Sequence, residues 1–311
     1  MRPDYQRLAS RIEGRVTLGA MMKQYTTWKI GGPADCLAEP ASADDVAAIL
    51  VFAKEEGVPV FVFGNGSNLL VKDGGIEGIA IRVGDRLSRR SYRRREDGST
   101  VLTAESGLIL SKMARETAKK GLRGLEWAVG IPASLGGAAT MNAGAYGHCF
   151  YESLIGAEVV TCDGDIRRLG KEELTYSYRH TALMDLDAIV TEVELLLRDG
   201  DREELIGSVE KTMALRREKQ PLELPSAGSV FKNPEGSHAG YLVEQTGLRG
   251  RRVGNARVSE KHGNFILNLG GASAEDVLRL IDVVRFEVKK AQGYDLEPEV
   301  RVVGRDKAPE D

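Results

Sequence analysis

Apolar residues recur at three- and four-residue intervals in several stretches of the chain, and residues that start or stop helices bound those stretches. Across 42–57, Val46, Ile49, Leu50 and Ala53 share one face; Ser42 stands at the capping position, Asp45 three residues on, and Gly57 at the end. Helices are likewise predicted over Leu110–Lys120, stopped by Gly121, and over Ala274–Ala291. In the latter, Ser273 and Asp276 suit a capping box, and Val277, Leu280, Ile281, Val284 and Val288 form the buried stripe. Glu203–Arg217 reads as a helical connector and Tyr241–Gln245 as a short helix. VPVFVF (58–63), AIVTEVELLL (188–197), NFILNL (264–269) and EVRVVG (299–304) predict strands, and VVTCDGDIRRL (159–169) a hairpin turning at Asp163-Gly164. This interleaving gives an α+β class, with a mostly β region from 85 to 200 between two mixed ones. The closing DKAPED reads as a disordered tail.

Composition narrows the picture only a little. The 311 residues are 42% hydrophobic and 29% charged with a net charge of −3, so nothing global favours nucleic acid or an acidic membrane. Cys36, Cys149 and Cys162 are scattered, with no metal-ligand spacing, and read as reduced thiols of a cytoplasmic protein. The opening MRPDYQRLASRIEG lacks the apolar core of a secretory signal, and no stretch is apolar for long enough to span a membrane. Six arginines crowd residues 86–95, but with only Tyr92 interleaved they read as an outer hairpin turning at Glu96-Asp97-Gly98.

Glycine carries the first chemical signal. Residues 130–147, GIPASLGGAATMNAGAYG, hold five glycines, five alanines and no charge, and read as too broken for a buried helix. Small residues in such density let backbone approach something flat or bulky and offer it bare N–H groups. A second glycine-rich turn, Gly64-Asn65-Gly66-Ser67-Asn68, follows the strand 58–63, where α/β proteins place ligands. It has Leu69 where a dinucleotide fingerprint needs a third glycine, and it leads into a strand. No GxxxxGK[ST] occurs. What remains is a pyrophosphate held by turn amides and by the Ser67 and Asn68 side chains.

GNGSNLLV (64–71) paired with GIPASLGGAATMNAGAYG resembles the FAD-binding domain of the vanillyl-alcohol-oxidase (PCMH) type. TTWKIGGPAD (26–35), YRH (178–180), KQPLELPSAGSVFKNP (219–234), VSEKHGNFILN (258–268) and LEPEVRVVG (296–304) narrow the resemblance to the UDP-N-acetylenolpyruvoylglucosamine reductase family. Only nine residues separate Arg179 from the strand at Ile189, so the chain is similar to the shorter branch, which lacks a tyrosine loop. It departs from the family's YR-x-S-x-F pattern, reading Tyr178-Arg179-His180-Thr181-Ala182-Leu183, with threonine for serine and no aromatic.

The resemblance implies a two-subdomain PCMH-type FAD-binding domain (1–84 and 85–218), a C-terminal α/β substrate-binding domain (219–298), and a last strand (299–311) that carries Glu299 back to the FAD-binding part. It implies non-covalent FAD on Gly64, Asn65, Gly66, Ser67, Asn68, Leu69, Gly130, Ile131, Pro132, Ser134, Gly136, Gly137, Asn142 and Gly144. Tyr146, Lys219, Lys232 and Asn233 are the implied ligands of the nucleotide-sugar substrate; no metal, nucleic acid or membrane is implied, and a monomer is expected. The implied reaction takes hydride from NADPH through FAD to UDP-N-acetylglucosamine enolpyruvate, giving UDP-N-acetylmuramate for peptidoglycan. Hydride addition leaves an enolate-like charge, which fixed donors stabilise by on the order of 3 kcal/mol each.

By resemblance Arg179 faces the substrate carboxylate, Ser229 is the general acid, and Glu299 is the second catalytic group. On residue type alone, Arg179 reads as a surface ion pair and Ser229 as a turn serine; the motifs around them single them out. A different flavin oxidase would keep both glycine stretches but has no use for SAGSVFKNP or EPEV. A binding protein that had lost turnover should show damage at Arg179, Ser229 or Glu299, and none is visible. An ionised carboxylate beside an enolate would oppose the reaction, so Glu299 is expected to be at least partly protonated when substrate is bound. Infrared difference spectra of the substrate complex should show its protonated carboxyl band at neutral pH; a fully ionised band contradicts this.

Overall fold

The computed structural model describes residues 3–177 and 180–307. It divides into two compact units: Met1–Leu18, Cys36–Asn65 and Gly78–Leu215 form the first, and Gly19–Asp35, Gly66–Glu77 and Arg216–Asp311 the second.

The first unit has two cores. In one, the helix Ala43–Glu56 lays Val46, Ile49, Phe52 and Ala53 onto Cys36, Ala38, Ile79 and Ile81. The sheet beneath runs in the order Arg15–Met21, Pro33–Glu39, Ile76–Arg82, Val60–Phe63, with the last two parallel. Ser42 caps that helix through the Asp45 N–H, and Gly57 closes it in the left-handed conformation. Asp45 does not reach back to complete a capping box. Its buried carboxylate instead accepts the N–H groups of Glu13, Gly14 and Ala41 at 2.8–2.9 Å, compensating its loss of water.

The second core of this unit lies on the larger sheet. Its order is Ile166–Gly170, Leu154–Thr161, Ala188–Asp199, Thr100–Glu105, Arg90–Arg94. The twelve-residue strand Ala188–Asp199 is its centre, burying Val193, Leu195 and Leu197 under the helices Leu110–Lys119 and Leu135–Thr140. The arginine-rich stretch is the exposed edge strand of this sheet, as expected. Arg89 pairs with Glu105, Arg90 with Glu116 and Arg94 with Asp199. Three of its six arginines are thus paired with neighbouring carboxylates, and charge along an edge strand discourages pairing with other chains.

The second unit is built around Trp28, Leu70, Val230, Phe231, Leu242, Val258 and the buried stripe of the helix Ala274–Gln292. Here the capping box of Ser273 and Asp276 forms as predicted. The Asp73 carboxylate adds a long-range cap, accepting the Ala274 and Glu275 N–H groups. Two sheets belong to this unit: an antiparallel one of Arg252–Val253, Ala256–Val258 and Ile266–Asn268, and a parallel pair of Leu69–Val71 with Arg301–Val303. Trp28 joins the first of these, donating its indole N–H to the Ile266 carbonyl at 2.9 Å and accepting Asn268 Nδ2 at 3.0 Å.

The observed elements follow the expected pattern except in 130–147. A short helix, Leu135–Thr140, forms there and is largely buried. Ser134 caps it through the Gly137 N–H, and Gly136 lets it sit against Ser106, where an added Cβ would lie 2.8 Å from the serine Cβ. Small residues here make a close-packed helix possible. The last four residues of the expected tail, 308–311, lie outside the described residues.

Candidate active site

In the first unit the two glycine-rich stretches meet. The strand Val60–Phe63 delivers Gly64 against Ser134, so closely that a Cβ on Gly64 would stand 2.0 Å from the serine Oγ. The next residue, Asn65, donates its Nδ2 to the Pro132 carbonyl at 2.6 Å. Among the described residues nothing accepts the N–H groups of Asn65, Ala133 or Ser134, so three backbone donors cluster around one contact. Beyond Asn65 the chain continues through Gly66, Ser67 and Asn68, whose N–H groups likewise have no acceptor among the described residues. The Ser106 hydroxyl, buried beside Gly136, has no partner either.

The rest of 130–147 turns sharply. Asn142 and Tyr146 hold positive φ of 42° and 55°. Tyr146-Gly147 forms the two-residue turn of a hairpin pairing Ala145 with His148, and leaves the tyrosine ring exposed. Asn142 spends its amide internally, on the Tyr151 N–H and the Ser177 carbonyl.

In the second unit the structure brings Ser229 and Glu299 onto adjacent chains. The Glu299 N–H donates to the Val230 carbonyl at 2.7 Å, Phe231 bridges Pro298, and the Lys232 N–H donates to the Glu297 carbonyl at 2.9 Å. Asn68 fixes Glu299 from the other direction: its Nδ2 donates to the Glu299 carbonyl at 3.1 Å, and its own carbonyl accepts the Arg301 N–H. Ser229 is half-buried, and among the described residues its hydroxyl has no hydrogen-bond partner.

The two carboxylates of Glu297-Pro298-Glu299 have different surroundings. Glu297 is exposed and takes Lys232 Nζ at 2.5 Å; Glu299 is half-buried. Asn233 accepts the Ala239 N–H at 3.1 Å with its Oδ1. Lys219, the last residue of the helix Arg202–Lys219, is exposed. Arg179 lies outside the described residues. Sequence reasoning missed Asn264, which holds the Ser229 segment through its side chain, and gave Asn68 only a cofactor role. An asparagine in a strand-like run, where it is rarely favoured, was the available signal.

Consecutive free amides on glycine-rich turns, a hydroxyl at Ser67 and closely packed small residues are the donor set a flavin dinucleotide needs. Residues 34–170 match the FAD binding domain family. The chain is an FAD-dependent oxidoreductase. Residues 220–303 match the C-terminal domain of UDP-N-acetylenolpyruvoylglucosamine reductase. The reductase of that name from Heliobacterium modesticaldum is 50% identical over 284 residues, 91% of this chain and 89% of its own. UDP-N-acetylenolpyruvoylglucosamine reductase 2 of Symbiobacterium thermophilum is 44% identical, with 98% of both chains covered. The crystal structure of the reductase from Thermus caldophilus superposes with a TM-score of 0.78 at 36% identity, covering 94% of this chain and 99% of that one. The chain belongs to the UDP-N-acetylenolpyruvoylglucosamine reductase family.

The contact at Gly64 makes a test. Gly64→Ala forces the Ser134 side chain away from its capping position and opens the junction of the two loops. FAD affinity, read by flavin fluorescence on titration, should fall at least about tenfold, a loss of about 1.4 kcal/mol. Adding Ser134→Ala, which removes the clashing Oγ, should recover part of it. Unchanged affinity in Gly64→Ala contradicts the role given to this contact.

Proposed function

We propose that Ser229, Glu299 and Arg179 carry the substrate half of this family's reaction, the NADPH-dependent reduction of UDP-N-acetylglucosamine enolpyruvate to UDP-N-acetylmuramate in peptidoglycan synthesis. FAD supplies the hydride relay between NADPH and the enolpyruvyl group. The protein's task is then to orient the substrate, stabilise charge on its carboxylate and deliver one proton.

The observation that carries this reading is the 2.7 Å hydrogen bond from the Glu299 N–H to the Val230 carbonyl. It sets a hydroxyl and a carboxyl, seventy residues apart in sequence, on neighbouring, hydrogen-bonded segments. Ser229 gives its proton to the carbon that carries the new charge. A serine hydroxyl engaged by a protein acceptor would be poorly placed for this, and Ser229 has none among the described residues. The Arg179 guanidinium grips the substrate carboxylate through its planar fork, and protonated Glu299 donates to the same group.

Asn233 and Tyr146 remain candidate ligands of the sugar, and Lys219 and Lys232 of the diphosphate. We read residues 1–84 and 85–218 as the two lobes of the flavin part, 219–298 as the substrate part, and 299–311 as the strand that bears Glu299. The same reading places the enzyme in the cytoplasm. It is supported by three free cysteines and by the lack, among the described residues, of any helix long and apolar enough to cross a membrane.

Ser229→Ala separates proton delivery from the rest. Bleaching of the flavin by NADPH should proceed at nearly the native rate, because that half needs no proton from the serine. Its return on mixing with UDP-N-acetylglucosamine enolpyruvate without oxygen should slow by about 10²–10⁴-fold. Equal slowing of both halves would make Ser229 a structural residue.

A further inference from the structure

We propose that Asn264 is the positioning residue that sets Ser229 in register with Glu299, its side-chain amide pairing with the Phe231 backbone as a neighbouring strand would. This rests on the roles given above to Ser229 and Glu299.

Asn264 is 4% exposed and uses every polar group it has. Its Oδ1 accepts the Phe231 N–H at 2.8 Å and its Nδ2 donates to the Phe231 carbonyl at 2.8 Å. Its own carbonyl accepts the Val230 N–H at 2.9 Å. The opposite edge of the same segment is taken by Glu297 and Glu299. Residues 230–232 are therefore the middle ply of three. A side-chain donor and acceptor held in one plane, at the reach of one peptide group, is what asparagine offers. Glutamine is longer by one methylene, and an apolar residue would leave both Phe231 groups buried and unpaired.

The turn that delivers Asn264 is rigid. A Cβ on Gly263 would lie 2.5 Å from the Gly240 carbonyl oxygen. Ser259 Oγ accepts the Lys261 and His262 N–H groups, and His262 Nδ1 accepts the Asn264 N–H at 3.2 Å. Burial pushes the His262 pKa down, helped by Arg249 and opposed by Glu244, in the direction of the neutral ring that this bond requires.

The test uses the full-length, FAD-loaded enzyme and its two half-reactions. Asn264→Asp keeps the shape but, when ionised, turns an acceptor onto the Phe231 carbonyl; when protonated, it can donate there again. At pH 8 its flavin should be reoxidised by substrate about 10- to 100-fold more slowly than in wild type, while reduction by NADPH stays within about twofold. The deficit should shrink as pH falls through the carboxyl titration. Asn264→Leu should show the same deficit at every pH. His262, Glu244, Arg249, Lys232, Glu297 and Glu299 titrate or carry charge nearby in both proteins, so the variant-to-wild-type ratio isolates residue 264.

Equal slowing of both half-reactions, or native reoxidation in folded Asn264→Leu, overturns the proposal. Ser229→Ala is the control. If it reoxidises at the native rate, the catalytic reading has failed; if it is slow while the Asn264 variants are not, only the positioning role has. Should the variants not fold, hydrogen exchange on the wild-type holoenzyme decides. The Val230 and Phe231 amides should be protected well beyond those of Gly228 and Ser229, and fast exchange at Phe231 overturns the clamp.

Discussion

The second unit is organised by one backbone pairing, the Val230 carbonyl accepting the Glu299 N–H. Val230 and Phe231 are almost fully buried, so each of their polar groups must find a partner inside the protein or cost about 1–3 kcal/mol. Glu297 and Glu299 satisfy one edge and Asn264 the other. Asn68 and the parallel pair Leu69–Val71 with Arg301–Val303 then fix the chain that bears Glu299. Side chains in such a place inherit their geometry from the backbone.

The two glycine-rich stretches depend on a different constraint, close approach. Gly64 has no room for a Cβ because Ser134 occupies it, and Ser134 is there because it caps the helix Leu135–Thr140. That helix reaches its neighbours only because Gly136 lets it lie against Ser106. Each of these small residues thus serves packing, and the packing leaves the amides of Asn65, Ala133 and Ser134 without acceptors among the described residues. The packing of these residues and the exposure of backbone donors follow from the same close approach.

The long helices were legible because their ends are written locally. Ser42 and Gly57, and Ser273 and Gly293, cap as their types predict. The arginine-rich edge strand was legible because a turn signal and a strand pattern follow it. The helix Leu135–Thr140 was not, since glycine argues against helix wherever long-range packing cannot be seen. Asp45 shows the same limit: its position suggested a local box, while its carboxylate serves amides thirty residues away. Ser229 and Glu299 were singled out through the motifs around them, for neither residue type marks itself. Asn264 lay within a recognised motif, but a side chain acting as a strand has no local signature.

The most direct measurement is a crystal structure of the FAD enzyme with the enolpyruvyl substrate bound. The account predicts the Val230–Glu299 and Phe231–Asn264 hydrogen bonds intact, with Ser229 Oγ about 3–3.5 Å from the carbon that receives the proton. It also predicts the Glu299 carboxyl within hydrogen-bond reach of the substrate carboxylate. A bound enolpyruvyl group facing neither residue, or a complex in which the Val230–Glu299 pairing has opened, would contradict it.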